Sequence, residues 1–422
     1  MLELLKDRTY IRYWLAVVAS FLGDAVTKIT LIYVVATETD DPVLYVSLVV
    51  IAQLLPFGVL GAFVGPLADR LPARLLMVGS DLVRVALVLA MIVVRDSPLL
   101  LLVLILLSGV AKAFFETARI TAIPLIVRGH SIPTAVALFQ STNHTLNLVG
   151  PALGGLLIAL GSVTTVFLLD AATFVVSAVL LASMGVLREV PVRGADSGRE
   201  GYWQSLRTGV SGVLAVPSLR YLAVVMVPVM LVLGLFTTNL NSQLLNVFEL
   251  PAFEYGLAQA AFGAGCVIGA LAGPPLVRRS SDRGLLIGSI VLFGASLLLL
   301  APTGSVWEAA DRGALGLAAV LLWCVLAGLG SGLFQVPVAN TLLTDLPEEL
   351  RGRGVGLLNA LMVNFTVLGV VVGGLLAGLV GIAASIVAAG AVLVVAALAL
   401  LAPGLRGGPG DRARTPETEA VS

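Results

Sequence analysis

Eight ionisable residues lie in stretches of sequence that are otherwise almost entirely apolar, and all eight belong to the first half of the chain. Four are acids and four are bases: Asp24, Lys28, Asp81, Arg84, Lys112, Glu116, Arg119 and Asp170. The apolar stretches after residue 219 contain none. A charge inside a membrane span costs roughly 2.5–3.5 kcal/mol, and such residues usually carry protons, contact substrates or pair with one another. These residues therefore predict charge chemistry within a membrane, confined to one half of the protein.

The charged residues are spaced so that acids and bases share helix faces. Four pairs stand three or four residues apart: Asp24 with Lys28, Asp81 with Arg84, Lys112 with Glu116, and Glu116 with Arg119. Side chains at these spacings are neighbours on a helix, and opposite charges there attract. We expect the two members of each pair to neutralise each other on their own helix.

The rest of the chain has the composition of a membrane protein. It is 58% hydrophobic and 12% charged, with a mean hydropathy of +1.04, whereas soluble domains carry about 25% charged residues. Twelve apolar stretches reach the roughly 20 residues that a membrane-spanning helix needs. The net charge is zero, so no basic surface indicates a nucleic-acid partner. We expect an all-α membrane protein of twelve transmembrane helices whose partners are the lipid bilayer and a small molecule.

The basic residues of the connecting loops predict the orientation. With the N-terminus inside, nineteen basic residues fall in cytoplasmic segments and two, Arg95 and Arg312, fall outside. Cytoplasmic loops of membrane proteins carry an excess of Lys and Arg. We expect both termini in the cytoplasm and a multi-pass location in the inner membrane of a prokaryote.

The longest polar stretch divides the spans six and six. The expected organisation is a six-helix bundle over 1–187, a cytoplasmic linker over 188–218, a second six-helix bundle over 219–402 and a disordered cytoplasmic tail over 403–422. Two six-span halves resemble the architecture of major facilitator transporters, in which pseudo-symmetric halves rock around a site at the membrane midplane.

The loop after the second span makes this resemblance specific. Its sequence is Gly65-Pro-Leu-Ala-Asp-Arg-Leu-Pro-Ala-Arg74, which resembles the cytoplasmic loop motif of the major facilitator superfamily. Pro72 and Ala73 depart from that motif. The resemblance implies a gate that locks neighbouring helix ends at the cytoplasmic face. Its expected residues are Gly65, Asp69, Arg70 and Arg74 of the loop, with Asp81 and Arg84 on the third span.

Other segments resemble the drug-efflux branch of the superfamily that contains macrolide exporters and the enterobactin exporter. They are Asp81–Arg84, Phe114–Pro124, Asp170–Ser177 and Leu346–Arg353. Lys112 and Glu116 depart from the branch pattern, which indicates a changed substrate. Asp170 stands at a position typical of the branch, and we expect it to be structural.

The fifth span contains Gly150-Pro-Ala-Leu-Gly-Gly155, which resembles half of the superfamily's antiporter motif. The resemblance implies export by exchange against protons, with Gly150, Pro151, Gly154 and Gly155 forming a kink. Because Pro removes a backbone hydrogen bond and glycines allow close packing, a bend that serves packing alone remains an alternative.

The resemblance also implies that spans one and four line a central cavity. The candidates for proton coupling or substrate contact are then Asp24, Lys28, Lys112, Glu116, Arg119 and His144. Arg119 lies near the cytoplasmic end of its span and could instead extend to the membrane surface. His144, among asparagines on span five, is a candidate proton relay; hydrogen bonding between helices is the alternative.

These observations together predict a secondary active transporter, not an enzyme. The chain has no Gly-rich phosphate loop for ATP, and no Cys and His cluster for a metal. We expect a monomer without cofactors that uses the proton gradient to export amphipathic organic compounds by alternating access. One alternative is a dedicated carrier of a charged solute such as a siderophore or a lysophospholipid, with Lys28 and Lys112 contacting its anion. A less favoured alternative is a membrane scaffold or receptor that transports nothing.

Overall fold

The computed structural model of the protein describes residues 7–39, 41–68, 71–127, 131–188, 216–277, 282–345 and 351–400. The described residues form helices and no strand, which confirms the all-α expectation. The helices are α1 (Arg8–Glu38), α2 (Pro42–Ala68), α3 (Ala73–Val94), α4 (Pro98–Ile126), α5 (Ile132–Leu160), α6 (Val163–Ala182), α7 (Pro217–Ser242), α8 (Ala252–Val277), α9 (Asp282–Leu298), α10 (Leu300–Ala309), α11 (Ala314–Asp345), α12 (Arg351–Val380) and α13 (Ile382–Leu400). A π-helical turn, Gln243–Val247, extends α7.

Ten helical segments within the described residues are long and apolar enough to cross a membrane. α9 and α10 count together as one of them, and α2 contributes a shorter apolar stretch, Pro42–Pro56. Only helices and closed barrels can satisfy the backbone hydrogen bonds of a chain in lipid. The segments agree with a twelve-span protein, although the number twelve stays a prediction.

Short polar signals set where several helices begin. The carboxylate of Asp7 accepts the Thr9 N–H at 2.7 Å before α1, and the hydroxyl of Ser162 accepts the Thr165 N–H at 3.2 Å before α6. Side-chain oxygens at this position satisfy backbone N–H groups that the helix itself leaves unpaired. α4 begins with Pro98, whose missing N–H costs nothing at a helix start.

The contacts divide the chain into two compact units. One unit, termed the N-unit here, comprises Met1–Ser197, Thr238–Ala260 and Gly373–Gly378; the other comprises Gly198–Thr237, Ala261–Val372 and Leu379–Ser422. The N-unit thus contains α1–α6 and short pieces of α7, α8 and α12. The predicted tail, 403–422, and most of the predicted linker, 188–218, lie outside the described residues.

Within the N-unit α1 packs against α5 and α6, while α3 packs against α4 and α6. One end of this bundle is an aromatic cluster, in which Tyr10 and Tyr13 approach the ring of Phe139 edge-on with centroids 6.1 and 5.4 Å away. The Tyr13 hydroxyl also donates to the Arg119 carbonyl oxygen at 2.6 Å, which ties α1 to α4.

In the second unit, Phe236 of α7 contacts the rings of Phe262, Phe293 and Trp323 on three other helices. The Trp323 indole N–H donates to the Ser296 carbonyl oxygen at 2.9 Å. This core is apolar and aromatic, as the uncharged spans of the second half predict.

α1 and α6 approach closely at Gly23. A Cβ atom built on Gly23 would collide with the Asp170 carboxylate and the Thr173 hydroxyl of α6. A larger residue at this crossing would therefore displace the side chains of Asp170 and Thr173 from their described positions against α1.

We expect Gly23→Ala to lower the apparent thermal unfolding midpoint of the detergent-purified protein, because overpacking a close crossing costs about 1–3 kcal/mol. The matched control is Gly79→Ala on α3, where a new Cβ meets no atom within 4 Å. That change should be neutral or stabilising by up to about 1 kcal/mol. Equal effects of the two changes would contradict the close crossing.

Candidate functional site

A cavity of about 350 Å³ lies within the N-unit. Its apolar wall includes Phe21, Ala25, Leu31, Leu54, Val88, Met91, Ile105 and Leu146. Its polar and charged lining consists of Asp24, Thr27, Lys28, Gln53, Ser108, Lys112, Glu116, Asn143 and Asp170. Ligand sites are commonly clefts of about 300–1,000 Å³ with apolar walls and a few placed polar groups. Seven of the eight charged residues found in the sequence belong to this site: five are in the lining, Arg84 pairs with Asp24, and Arg119 pairs with Glu116.

Arg84 is the buried centre of the charge cluster beside the cavity. Its side chain is 0% exposed, and its guanidinium pairs with Asp81, also fully buried, and with Asp24, 3.2 Å from Nη1 to Oδ2. Nη2 donates to the Ser20 hydroxyl at 2.9 Å. A guanidinium presents its donors in a rigid fork, so it can hold two carboxylates in fixed directions.

Aromatic rings and a serine complete the surroundings of Arg84. The guanidinium carbon lies 4.7 Å from the ring centroid of Phe115 on α4 and 4.2 Å from that of Phe174 on α6. The Ser177 hydroxyl donates to Asp81 Oδ2 at 2.6 Å. Cation–π contacts strengthen when the cation is desolvated. Arg84 therefore binds α1, α4 and α6 to α3.

Asp24 joins this cluster to the cavity. Besides Arg84, its Oδ2 pairs with the Lys112 ammonium at 3.0 Å, and the Lys112 side chain is 45% exposed. The expected pairs Asp24–Lys28 and Lys112–Glu116 are therefore wrong. Same-helix spacing shows only which partners are possible on one helix, and here the partners on neighbouring helices are closer.

Glu116 instead pairs with Arg119, which confirms the pair expected from their spacing of three residues. Glu116 Oε2 accepts from Arg119 Nε at 3.0 Å and from Nη2 at 2.7 Å. The Arg119 side chain is only 14% exposed and lies over the rings of Phe21 and Phe139. Arg119 is thus held inside the bundle and does not extend to the surface.

Lys28 and Asp170 are the two charged groups near the cavity without an ion pair in the described part of the chain. Lys28 is exposed to the cavity, and the positive charge of Lys112 acts on it. Asp170 is 2% exposed and stands beside Thr27 of α1. Neither arrangement followed from spacing, because each depends on how α1, α4 and α6 pack.

The expected gate is described only in part. Gly65 falls within the backbone of α2, whereas Asp69 and Arg70 lie outside the described residues. Arg74 stands in the first turn of α3. Asp81 and Arg84 belong to the buried cluster beside the cavity. The side chain of His144 is also outside the described part, so its role stays a prediction.

The glycines of the fifth span make close helix contacts within the N-unit. A Cβ on Gly150 would lie 2.5 Å from the Ala25 Cβ of α1, and one on Gly154 would lie 3.1 Å from the Val26 carbonyl oxygen. A Cβ on Gly155 would lie 3.0 Å from the Cα of Gly256 on α8. Pro151 lies inside α5. The motif therefore serves packing, and its part in exchange remains a prediction.

Sequence reasoning missed the residues that surround Arg84: Ser20, Phe115, Phe174 and Ser177. A signal was present, because Asp170, Phe174 and Ser177 follow a spacing of four and three and thus share one face of α6. Ser20 and Asp24 likewise stand four apart on α1. A polar stripe on one helix facing an arginine on another would have predicted the cluster.

We expect Arg84→Met to destabilise the protein strongly, because it leaves the carboxylate of Asp81 buried without a cation; breaking a buried ion pair costs about 3–5 kcal/mol. The double change Arg84→Met with Asp81→Asn should recover part of the lost thermal stability. Arg95→Met, which removes a half-exposed arginine paired with Asp96, is the control and should change little. A double variant less stable than Arg84→Met alone would contradict the pairing.

Comparison with known proteins gives the family. A family model described as Major Facilitator Superfamily matches residues 13–363 and 222–421. The multidrug efflux pump Tap of Mycolicibacterium fortuitum is 27% identical over 407 residues, which cover 91% of this chain and 93% of Tap. The enterobactin exporter EntS of Shigella boydii is 29% identical over 310 residues, 71% of this chain and 69% of EntS.

One further sequence match and one structural match agree with this family and its fold. Macrolide efflux protein A of Streptococcus pyogenes is 22% identical over 173 residues, 40% of this chain and 42% of that protein. The crystal structure of a bacterial homologue of the iron transporter ferroportin superposes with a TM-score of 0.72 at 14% identity, covering 93% of this chain and 98% of that one; at this identity it supports the fold alone. The chain therefore belongs to the major facilitator superfamily, whose members are multi-pass membrane transporters.

Proposed function

We propose that this protein is a proton-coupled exporter of amphipathic organic compounds that works by alternating access. The observation that carries the proposal is the position of the buried charge cluster. Asp24 belongs both to the cluster around Arg84 and to the lining of the cavity. A ligand in the cavity is thus one contact away from buried, ionisable groups that a proton can neutralise.

The cavity suits an amphipathic compound. Aromatic and aliphatic side chains such as Phe21, Met91 and Leu146 offer an apolar surface, whereas Gln53 and Ser108 offer hydrogen bonds. Apolar walls bind by excluding water and require little shape match, which agrees with a loosely specific substrate range. The charged lining residues, by contrast, change their interactions with a ligand when they gain or lose a proton.

The proposed direction of transport is export, and it rests on the names of the relatives. Tap is named a multidrug efflux pump and EntS an enterobactin exporter, and the glycine-rich motif of α5 resembles an antiporter motif. We further propose that the protein is a monomer in the inner membrane with both termini in the cytoplasm, as the basic loops indicate. The loop Gly65–Arg74 would then be the cytoplasmic gate.

The proposal is tested in proteoliposomes with an acidic lumen, in which exported compounds enter the lumen of inside-out transporters. The probes are one cation, one neutral compound and one anion: ethidium, naphthalene-2-sulfonamide and naphthalene-2-sulfonate. We expect at least one probe to accumulate above protein-free liposomes, and the accumulation to collapse when nigericin dissipates the pH gradient. Accumulation of none, or accumulation that nigericin leaves unchanged, would contradict proton-coupled export.

A second candidate is a carrier of an organic anion, and one observation favours it. Lys28 faces the cavity without a carboxylate within 4.0 Å among the described residues, and Lys112 shares its only described carboxylate, Asp24, with Arg84. Two ammonium groups that repel each other across a cavity would bind an anion between them. The charges of the lining thus leave room for a sulfonate, phosphate or carboxylate.

The two candidates differ in the sign of proton linkage. An exchanged substrate must compete with the proton, so its binding releases one. An anion instead stabilises protons on nearby acids, since it adds negative charge, so its binding takes one up.

For the anion candidate we expect naphthalene-2-sulfonate to bind the purified protein at least about tenfold more tightly than naphthalene-2-sulfonamide, a difference of about 1.4 kcal/mol. Lys28→Gln should remove most of that preference without changing sulfonamide binding, and Arg95→Gln is the control for loss of a charge outside the cavity. Titration calorimetry in a non-ionic detergent measures both ligands. Equal affinity of the wild-type protein for the two ligands would exclude an anion-selective cavity.

A further inference from the structure

Asp170 differs from the other three membrane acids in having no cation. Asp24 pairs with Arg84 and Lys112, Asp81 pairs with Arg84, and Glu116 pairs with Arg119. In the described part of the chain no basic nitrogen lies within 4.0 Å of the Asp170 carboxylate. An isolated carboxylate in a low-dielectric interior is strongly disfavoured relative to its protonated form.

The immediate surroundings of Asp170 contain little that could stabilise a negative charge. The side chain is 2% exposed, and Oδ1 has no hydrogen-bond partner among the described residues. Its neighbours are Gly23, which offers no side chain, the hydroxyl of Thr27, and Thr173, whose hydroxyl donates to the Asp170 carbonyl oxygen at 2.7 Å. A protonated carboxyl fits this environment better than a carboxylate because it carries no charge to compensate.

Asp170 nevertheless has access to protons and to counter-charges. It is part of the cavity lining. The charged groups that face it are Asp24 on α1, Arg84 on α3 and Lys112 on α4. Lys28 of α1 lines the same cavity, and the side chain of His144 on α5 is outside the described residues. The Lys112 side chain is long and 45% exposed in the cavity, which leaves room for it to move from Asp24 toward an ionised Asp170.

We propose that Asp170 is the group that carries the coupling proton, and that Asp24 is the fixed acid of the cluster. Asp24 pairs with two cations and is fixed by them, whereas Asp170 binds a proton in the described conformation. Loss of that proton creates a buried charge that a cation such as Lys112 or Arg84, or a hydrogen-bond donor of the substrate, must compensate. The substrate and the proton therefore compete at Asp170. This inference rests on the proposed function and names the residue that performs the exchange.

The proposal is tested first by infrared spectroscopy of the full chain, which needs no substrate. We expect the C=O stretch of a protonated carboxylic acid in the wild-type protein at neutral pH. The band should be absent in Asp170→Asn and present in Asp24→Asn and in the control Asp96→Asn, whose side chain is exposed. A band that survives in Asp170→Asn, or no protonated carboxyl in the wild-type protein, would overturn the proposal.

Transport provides the second readout. Asp170→Asn imitates the protonated state and should still exchange labelled naphthalene-2-sulfonamide, or whichever of the three probes the wild-type protein transports, between equal pools. It should lose accumulation driven by the pH gradient. Asp170→Glu should restore part of that accumulation, and Asp96→Asn should behave as wild type. Full gradient-driven accumulation by Asp170→Asn would contradict the assignment.

The two tests separate this inference from the proposed function. If the infrared band belongs to Asp170 while the wild-type protein accumulates no probe, the protonated acid stands and proton-coupled export fails. If the wild-type protein accumulates a probe and the band is unaffected in Asp170→Asn, export stands and the coupling proton lies elsewhere. Retained exchange in Asp170→Asn also shows that the variant folds.

Discussion

The buried guanidinium of Arg84 is the interaction on which the N-unit depends. It is completely enclosed, and it is compensated by two carboxylates, one hydroxyl and two aromatic rings that come from α1, α3, α4 and α6. A cation in lipid without such partners would not be tolerated. Because its partners come from four helices, the packing of those helices and the charge balance of the cavity cannot change independently.

This constraint divides the membrane acids into two kinds. Asp81 and Asp24 compensate Arg84 and are fixed by it, whereas Asp170 has been left next to the same cluster without a cation. The close crossing at Gly23 keeps Asp170 against α1. Fixed pairs supply structure, and an unpaired acid that reaches a cavity supplies a place where a proton can come and go. The sequence of the apolar spans in the second half contains no acid.

The sequence predicted the helical membrane fold, the residues that carry charge and the family, because each depends on composition or on a local motif. It failed for the partners of Asp24, Lys28 and Lys112. Spacing along one helix correctly predicted Asp81–Arg84 and Glu116–Arg119, yet it cannot show that Lys112 of α4 stands 3.0 Å from Asp24 of α1. The lack of a cation at Asp170 could not be predicted from the sequence either, because it depends on how α6 packs on α1.

The central claim is that a proton bound within this cluster is exchanged for substrate, and proton release on binding tests it most directly. The purified protein in weakly buffered detergent solution, with a pH indicator, is titrated with ethidium or naphthalene-2-sulfonamide, whichever of the two it transports. The account predicts that binding releases protons in the wild-type protein and in Asp96→Asn, and releases none in Asp170→Asn. Proton uptake on binding, or release that persists unchanged in Asp170→Asn, would contradict it.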